Sequence, residues 1–149
     1  MLSSRFRATM VVQRSIAAGI TGPGPTRYGG SRPHSEPESR AILNFIQSYR
    51  PRTLFAFHAQ GEEIFYDYMD KAPPGALILA ELLSELSGYR LVSPEGTASH
   101  GGLKDYFISA YGRPGFTIEV GRGQNPLPIE DLGPIYARLL RMMMVSVMI

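Results

Sequence analysis

Thr53-Leu54-Phe55-Ala56-Phe57-His58-Ala59-Gln60-Gly61-Glu62-Glu63 is an apolar run that ends in a histidine and then breaks into a polar, glycine-containing turn. A short continuous apolar run bounded by turn residues reads as a strand buried on both faces. Ligands of open α/β sheets collect just beyond the carboxyl ends of such strands. His58 therefore stands where a site histidine is expected. Taken alone, the stretch fits a structurally satisfied histidine at a strand end better than a site residue.

Upstream, a helix start is signalled by Ser35 as N-cap, Glu38 at the capping-box position and Pro37 in the first turn. Ile42, Phe45, Ile46 and Tyr49 follow at helical spacing, and Pro51 stops the helix. Downstream, Gly61 to Pro74 reads as a long loop in which Glu62, Glu63 and Asp70 are solvated charges. A helix is predicted from Gly75 to Leu86 with Leu79, Leu82, Leu83 and Leu86 on one face, ended by Gly88. Tyr89 to Val92 is compatible with a short strand, and residues 94–102 with a loop. The next helix, Leu103 to Tyr111, is expected to turn Leu103, Tyr106, Phe107 and Ala110 inward.

Phe116 to Val120 alternates cleanly, so Thr117 and Glu119 face away from Phe116, Ile118 and Val120. The last helix is expected to bury Ile135, Tyr136, Leu139, Leu140 and Met143, with the apolar tail Met142 to Ile149 completing it. This alternation of helix and strand predicts an α/β fold, a mixed sheet flanked by helices.

Composition narrows the function classes. The chain has 149 residues, enough for one domain or part of one. A net charge of +2 with scattered basic residues gives no argument for nucleic acid as a partner. Cysteine is absent, which removes disulfides and thiolate metal sites. No apolar run is long enough for a membrane span. A cytoplasmic location is the expectation, with secreted and periplasmic locations left open. Residues 1–35 contain Arg but no acid, and the start of the chain is transit-peptide-like in composition only. Glu119 is the second residue that attracts chemistry. A carboxylate in an apolar strand is costly unless it is paired, hydrogen-bonded or functional.

Phe57-His58-Ala59-Gln60-Gly61-Glu62-Glu63 together with Phe116-Thr117-Ile118-Glu119-Val120-Gly121 resembles the zinc carboxypeptidase family. Gly29 to Glu38, ending Ser35-Glu36-Pro37-Glu38, is similar to that family's Ser-Glu-Pro-Glu helix start. Within the family the likeness is to the bacterial γ-D-glutamyl-meso-diaminopimelate peptidases, which cut cell-wall peptides. It covers residues 21–149 as the C-terminal half of a catalytic domain, while residues 1–20 look unlike the family.

The resemblance implies a zinc metallopeptidase that hydrolyses peptide bonds, with a peptide or muropeptide as substrate and Zn2+ as cofactor. His58 matches the family's later zinc-ligating histidine, and Glu119 matches its general base. Lys104, fifteen residues before Glu119, falls near the specificity-pocket position. It reads either as a cation receiving an acidic substrate group or as a solvated helix lysine. The family's His-x-x-Glu motif is absent, because His34, His58 and His100 are followed three residues on by Pro37, Gly61 and Leu103. Neither Asn44 nor Asn125 precedes an Arg, so the family's Asn-Arg pair is missing too. The loop carrying Thr97, Ser99 and His100 lacks the family's substrate-binding tyrosine.

The expectation is a truncated peptidase, inactive alone. A muropeptide-binding module without metal and a non-functional fragment are the alternatives. Two other metal groupings, His58 with Glu62 and a convergence of His34, His58 and His100, are the remaining possibilities.

Overall fold

The computed structural model describes Ile16 and residues 19–24, 28–93 and 102–149. These residues fall into two compact units divided between Pro51 and Arg52, with Gly102 counted in the first. The loop residues Thr97, Ser99 and His100 lie outside the described residues.

The first unit contains helix α1, Pro37–Tyr49. Its N-cap is Glu36 and not Ser35 as predicted, and no side chain caps it. The Ser35 hydroxyl instead donates to Glu36 Oε1 at 2.7 Å, so the predicted cap is spent on a neighbouring carboxylate. The C-terminus is as signalled: Arg50 adopts a left-handed conformation at φ 49° just before Pro51. Leu43 and Ile46 form the buried face. Ile42, Phe45 and Tyr49 are exposed, with Phe45 and Tyr49 stacked at 4.5 Å.

The second unit is built on a four-stranded sheet: β1 (Leu54–His58), β2 (Glu63–Phe65), β3 (Arg90–Leu91) and β4 (Gly115–Glu119). The spatial order is β1-β4-β2-β3. β4 runs parallel to β1 and antiparallel to β2, while β2 and β3 are parallel. The sheet is therefore mixed, as predicted. Helices α2 (Ala76–Ser87), α3 (Leu103–Tyr111) and α4 (Leu132–Ser146) complete the unit, the last entered through a short 3-10 turn at Ile129–Asp131.

Alternation along β4 sorts these helices to the two faces of the sheet. Phe116 and Ile118 are fully buried and join Ile64, Ala80, Leu83, Tyr89, Leu139 and Met142 in one core, so α2 and α4 cover that face. The other face of β4 carries Gly115, Thr117 and Glu119. A side chain at Gly115 would meet Phe107 and Ile108 of α3 at 3.4 Å, which puts α3 on this second face.

Several local expectations need correction. β1 is not buried on both faces: it is an edge strand with β4 as its partner, and Phe57 is 49% exposed. Part of the expected long loop is β2, whose three residues are too short to show a period of two. On α4, Leu139 and Met142 are buried, whereas Tyr136 and Leu140 are exposed. The helix stops at Ser146, so Val147 and Met148 lie outside it and are exposed. On α2 the buried positions are Ala76, Ala80, Leu83 and Ser87, and Leu82 is exposed. On α3 the buried residues are Lys104, Asp105, Phe107 and Ile108, one step round the helix from the predicted face. No helix among the described residues is long and apolar enough to cross a membrane.

Ile118 and Phe57 are register partners on one face of the sheet, and they make a quantitative contrast between its centre and its edge. Ile118→Ala should lower unfolding stability by about 3 kcal/mol through the cavity it leaves. Phe57→Ala on the open edge should cost less than about 1 kcal/mol. Urea unfolding of both variants checks the assignment of core and open edge.

Candidate functional site

The ladder that pairs β1 with β4 brings the two candidate residues together. Leu54 opens it by donating its N–H to Pro114 O at 3.1 Å. Four residues later the register sets His58 opposite Glu119. On its other side Glu119 stands opposite Glu63 of β2, and Glu63 stands opposite Arg90 of β3. Directly opposed residues point to the same face. His58, Glu119, Glu63 and Arg90 therefore form one row of ionisable side chains across all four strands.

The row is electrostatically uneven. Arg90 Nη2 lies 2.5 Å from Glu63 Oε1, so the second carboxylate is already partnered. Glu119 is half-buried. Burial pushes its carboxyl above the usual glutamate range, the adjacent His58 draws it back, and the Glu63 charge adds to the rise. A carboxylate shifted towards neutrality is a better proton acceptor at physiological pH than an ordinary one. His58 itself is exposed at the sheet edge, with its backbone O accepting from Val120 N–H at 2.8 Å.

Lys104 is not the solvated lysine of the simpler reading. Its side chain is 5% exposed, and its ammonium is 2.6 Å from Asp105 Oδ1. It also donates to the backbone O of Asp67. Glu62 and Glu63 are not solvated loop charges either, since both carboxylates are largely buried in ion pairs with arginines. Asp70 is exposed, as predicted. The His58–Glu62 grouping fails as a metal pair because Arg122 and Arg138 occupy the two Glu62 oxygens. The three-histidine grouping needs His100, which lies outside the described residues.

A catalytic zinc ion requires about three protein ligands with an open fourth position. Among the described residues no group of three His, Cys, Asp or Glu side chains could hold a metal ion. His58 is the one imidazole in the row, and the carboxylate nearest it in register is the expected base. The donor set described here does not fit a catalytic zinc by itself.

The sheet and its flanking helices define a mixed α/β unit. The chain belongs to the zinc carboxypeptidase family, whose model matches residues 15–140. It is 39% identical over 118 residues to the gamma-D-glutamyl-L-diamino acid endopeptidase 1 of Lysinibacillus sphaericus, covering 79% of this chain and 29% of that protein. The fold is shared with thrombin-activatable fibrinolysis inhibitor at a TM-score of 0.65 and 20% identity, covering 76% of this chain and 33% of the other. It is also shared with the murein-tripeptide amidase MpaA of Escherichia coli O157 at 0.56 and 22%, covering 76% and 45%. The chain spans less than a third of the length of the curated relatives it matches, 29% and 31%.

Sequence reasoning missed Glu63 and Arg90 as members of the row. No local signal marks them, because their place is set by register between strands far apart in the chain.

The raised Glu119 pKa has a signed consequence. The folded state holds the Glu119 proton to a higher pH than the unfolded chain does, so ionising Glu119 lowers stability as the pH rises through that window. Glu119→Gln should therefore melt at a higher temperature than the unaltered chain at pH 7. The difference should close as the pH falls below the ordinary glutamate pKa of about 4.3. Thermal melts of the two proteins across pH measure it.

Proposed function

We propose that this chain carries the general-base part of a zinc-carboxypeptidase-type peptidase site, acting on γ-D-glutamyl-diamino acid bonds of cell-wall peptides. The observation that carries the reading is the register of His58 against Glu119 on adjacent parallel strands. Family membership and the name of the Lysinibacillus relative support the reaction and substrate class.

In this reading Glu119 takes a proton from the water that attacks the scissile carbonyl and returns it to the departing amine. His58 contributes one metal ligand. Two further ligands would be needed from outside the described residues. Lys104 would neutralise an acidic group of the substrate only by giving up its bond to Asp67 O or its pairing with Asp105. With a single imidazole in the row, the chain alone binds the peptide side of the reaction and does not turn it over.

The test uses the full chain with zinc and a γ-D-glutamyl-diaminopimelate peptide, followed by mass spectrometry for product and by NMR for binding. Expected are no product above the blank and shifts of the His58 and Glu119 signals on adding peptide. Turnover that Glu119→Gln abolishes would overturn the claim that the chain lacks a sufficient ligand set. Absence of any shift at His58 and Glu119 would overturn the peptide-site reading.

A further inference from the structure

A second charge cluster joins the chain segments that leave the two candidate residues. Glu62 sits in the turn between β1 and β2 with a left-handed backbone, φ 53°. Its side chain is only 15% exposed, and Oε2 lies 2.8 Å from Arg122 Nε. Oε1 accepts from Arg138 Nη1 at 2.5 Å. Arg122 lies just beyond β4 and Arg138 lies on α4, so one carboxylate ties three segments together.

The arginine at the far end is itself fixed. Arg138 Nε donates to Ser87 O at 2.8 Å and Nη2 to Gly88 O at 3.1 Å. Its guanidinium lies 4.9 Å from the centre of the Tyr89 ring, and the Tyr89 hydroxyl accepts from Gly121 N–H at 3.4 Å. Backbone bonds run beside these contacts. Gly61 N–H donates to Gly121 O at 2.8 Å, and Asn125 Nδ2 donates to Ala59 O at 2.8 Å.

Gly121 is also closely packed, at a position only glycine fits. Its φ is +66°, and a side chain there would come within 2.7 Å of Leu127. The turn that leaves His58 is thus fastened to the loop that leaves Glu119. An exposed ion pair contributes little to such fastening, but here the shared carboxylate is sheltered while Arg122 and Arg138 reach it from solvent, so removing its charge takes away the partner of both arginines at once.

We propose that Glu62 is the positioning residue of the His58–Glu119 pair. Through Arg138 and Arg122 it locks the turn after β1 against the loop after β4, and so sets how the imidazole meets the carboxylate. The inference rests on reading His58 and Glu119 as the reacting pair. Glu62 does not touch the substrate in this scheme.

The test uses the full chain and needs no turnover. Glu62→Gln keeps the shape and removes the charge. The Gly61 amide should then exchange with deuterium about tenfold faster. The ring nitrogen signals of His58 and the carboxyl carbon signal of Glu119 should shift or broaden, with cooperative unfolding retained. Leu86→Ala, on α2 beside Ser87 and packed against the core, lowers the melting temperature while keeping Glu62 and both arginines, and should leave those signals in place.

If Glu62→Gln does not fold, the exposed partner variant Arg122→Gln should give the same changes at smaller amplitude. Unchanged His58 and Glu119 signals in the Glu62 and Arg122 variants, or equal changes in Leu86→Ala, would overturn the proposal. Failure of the underlying reading shows separately: peptide added to the unaltered chain would then leave His58 and Glu119 undisturbed, whatever Glu62→Gln does.

Discussion

β4 is the strand on which everything in the second unit depends. It pairs with β1 on one side and with β2 on the other, so its register fixes both neighbours at once. Burial of Phe116 and Ile118 between the sheet and helices α2 and α4 selects that register. A slip of one residue would send both into the opposite face and bring Glu119 into the apolar core. The hydrophobic drive that forms the core is therefore the same force that presents Glu119 on the other side. Packing sets the site here, and no separate local device is needed to aim the carboxylate.

Charge arrangement refines what packing sets. Across the sheet the row runs His, Glu, Glu, Arg, with Arg90 holding the outer carboxylate. Two unpartnered carboxylates on adjacent strands would repel. The Arg90 pairing leaves one of them committed and the other, Glu119, facing an imidazole. The Glu62 network performs a related task at the carboxyl ends of β1 and β4. Its distances are short and its carboxylate is largely sheltered, which separates it from exposed ion pairs of small effect. β1 itself is an edge strand with a half-exposed Phe57, so backbone pairing on one side only holds His58 against Glu119. The bonds from Val120 to His58 and from Asn125 to Ala59 supply the missing restraint.

Family membership and metal chemistry separate in this chain. The family match extends over residues 15–140 and the fold agrees with solved carboxypeptidase-like structures. Among the described residues, nevertheless, no group of three His, Cys, Asp or Glu side chains could hold a metal ion. A fold can be retained by its core pattern while a metal site depends on a few specific side chains that the core does not demand. Glu119 and the single imidazole are placed opposite each other by the sheet register, whereas a metal site depends on side chains that register alone does not supply.

Much of the fold was legible locally. The strand ending at His58, the alternation around Glu119, the helix stop at Pro51 and the helix end at Gly88 all rest on short-range sterics and periodicity. These act within a few residues and survive in any tertiary context. Family motifs identified His58 and Glu119 as a pair before any geometry was available. Other features were beyond local reading. Three residues of β2 carry too little pattern to reveal a strand, and the outward turn of Tyr136 and Leu140 depends on which side of α4 the sheet occupies.

The burial of Lys104 and the pairing of Glu62 with Arg138, residues 76 apart in the chain, are likewise matters of approach between distant segments. Sequence by itself determined which residues could form strands and helices, because those properties are local. Only the tertiary structure decided that His58, Glu119, Glu63 and Arg90 share one row and that Glu62 fastens its end. Strand register and buried ion pairing exist only once the chain has closed on itself.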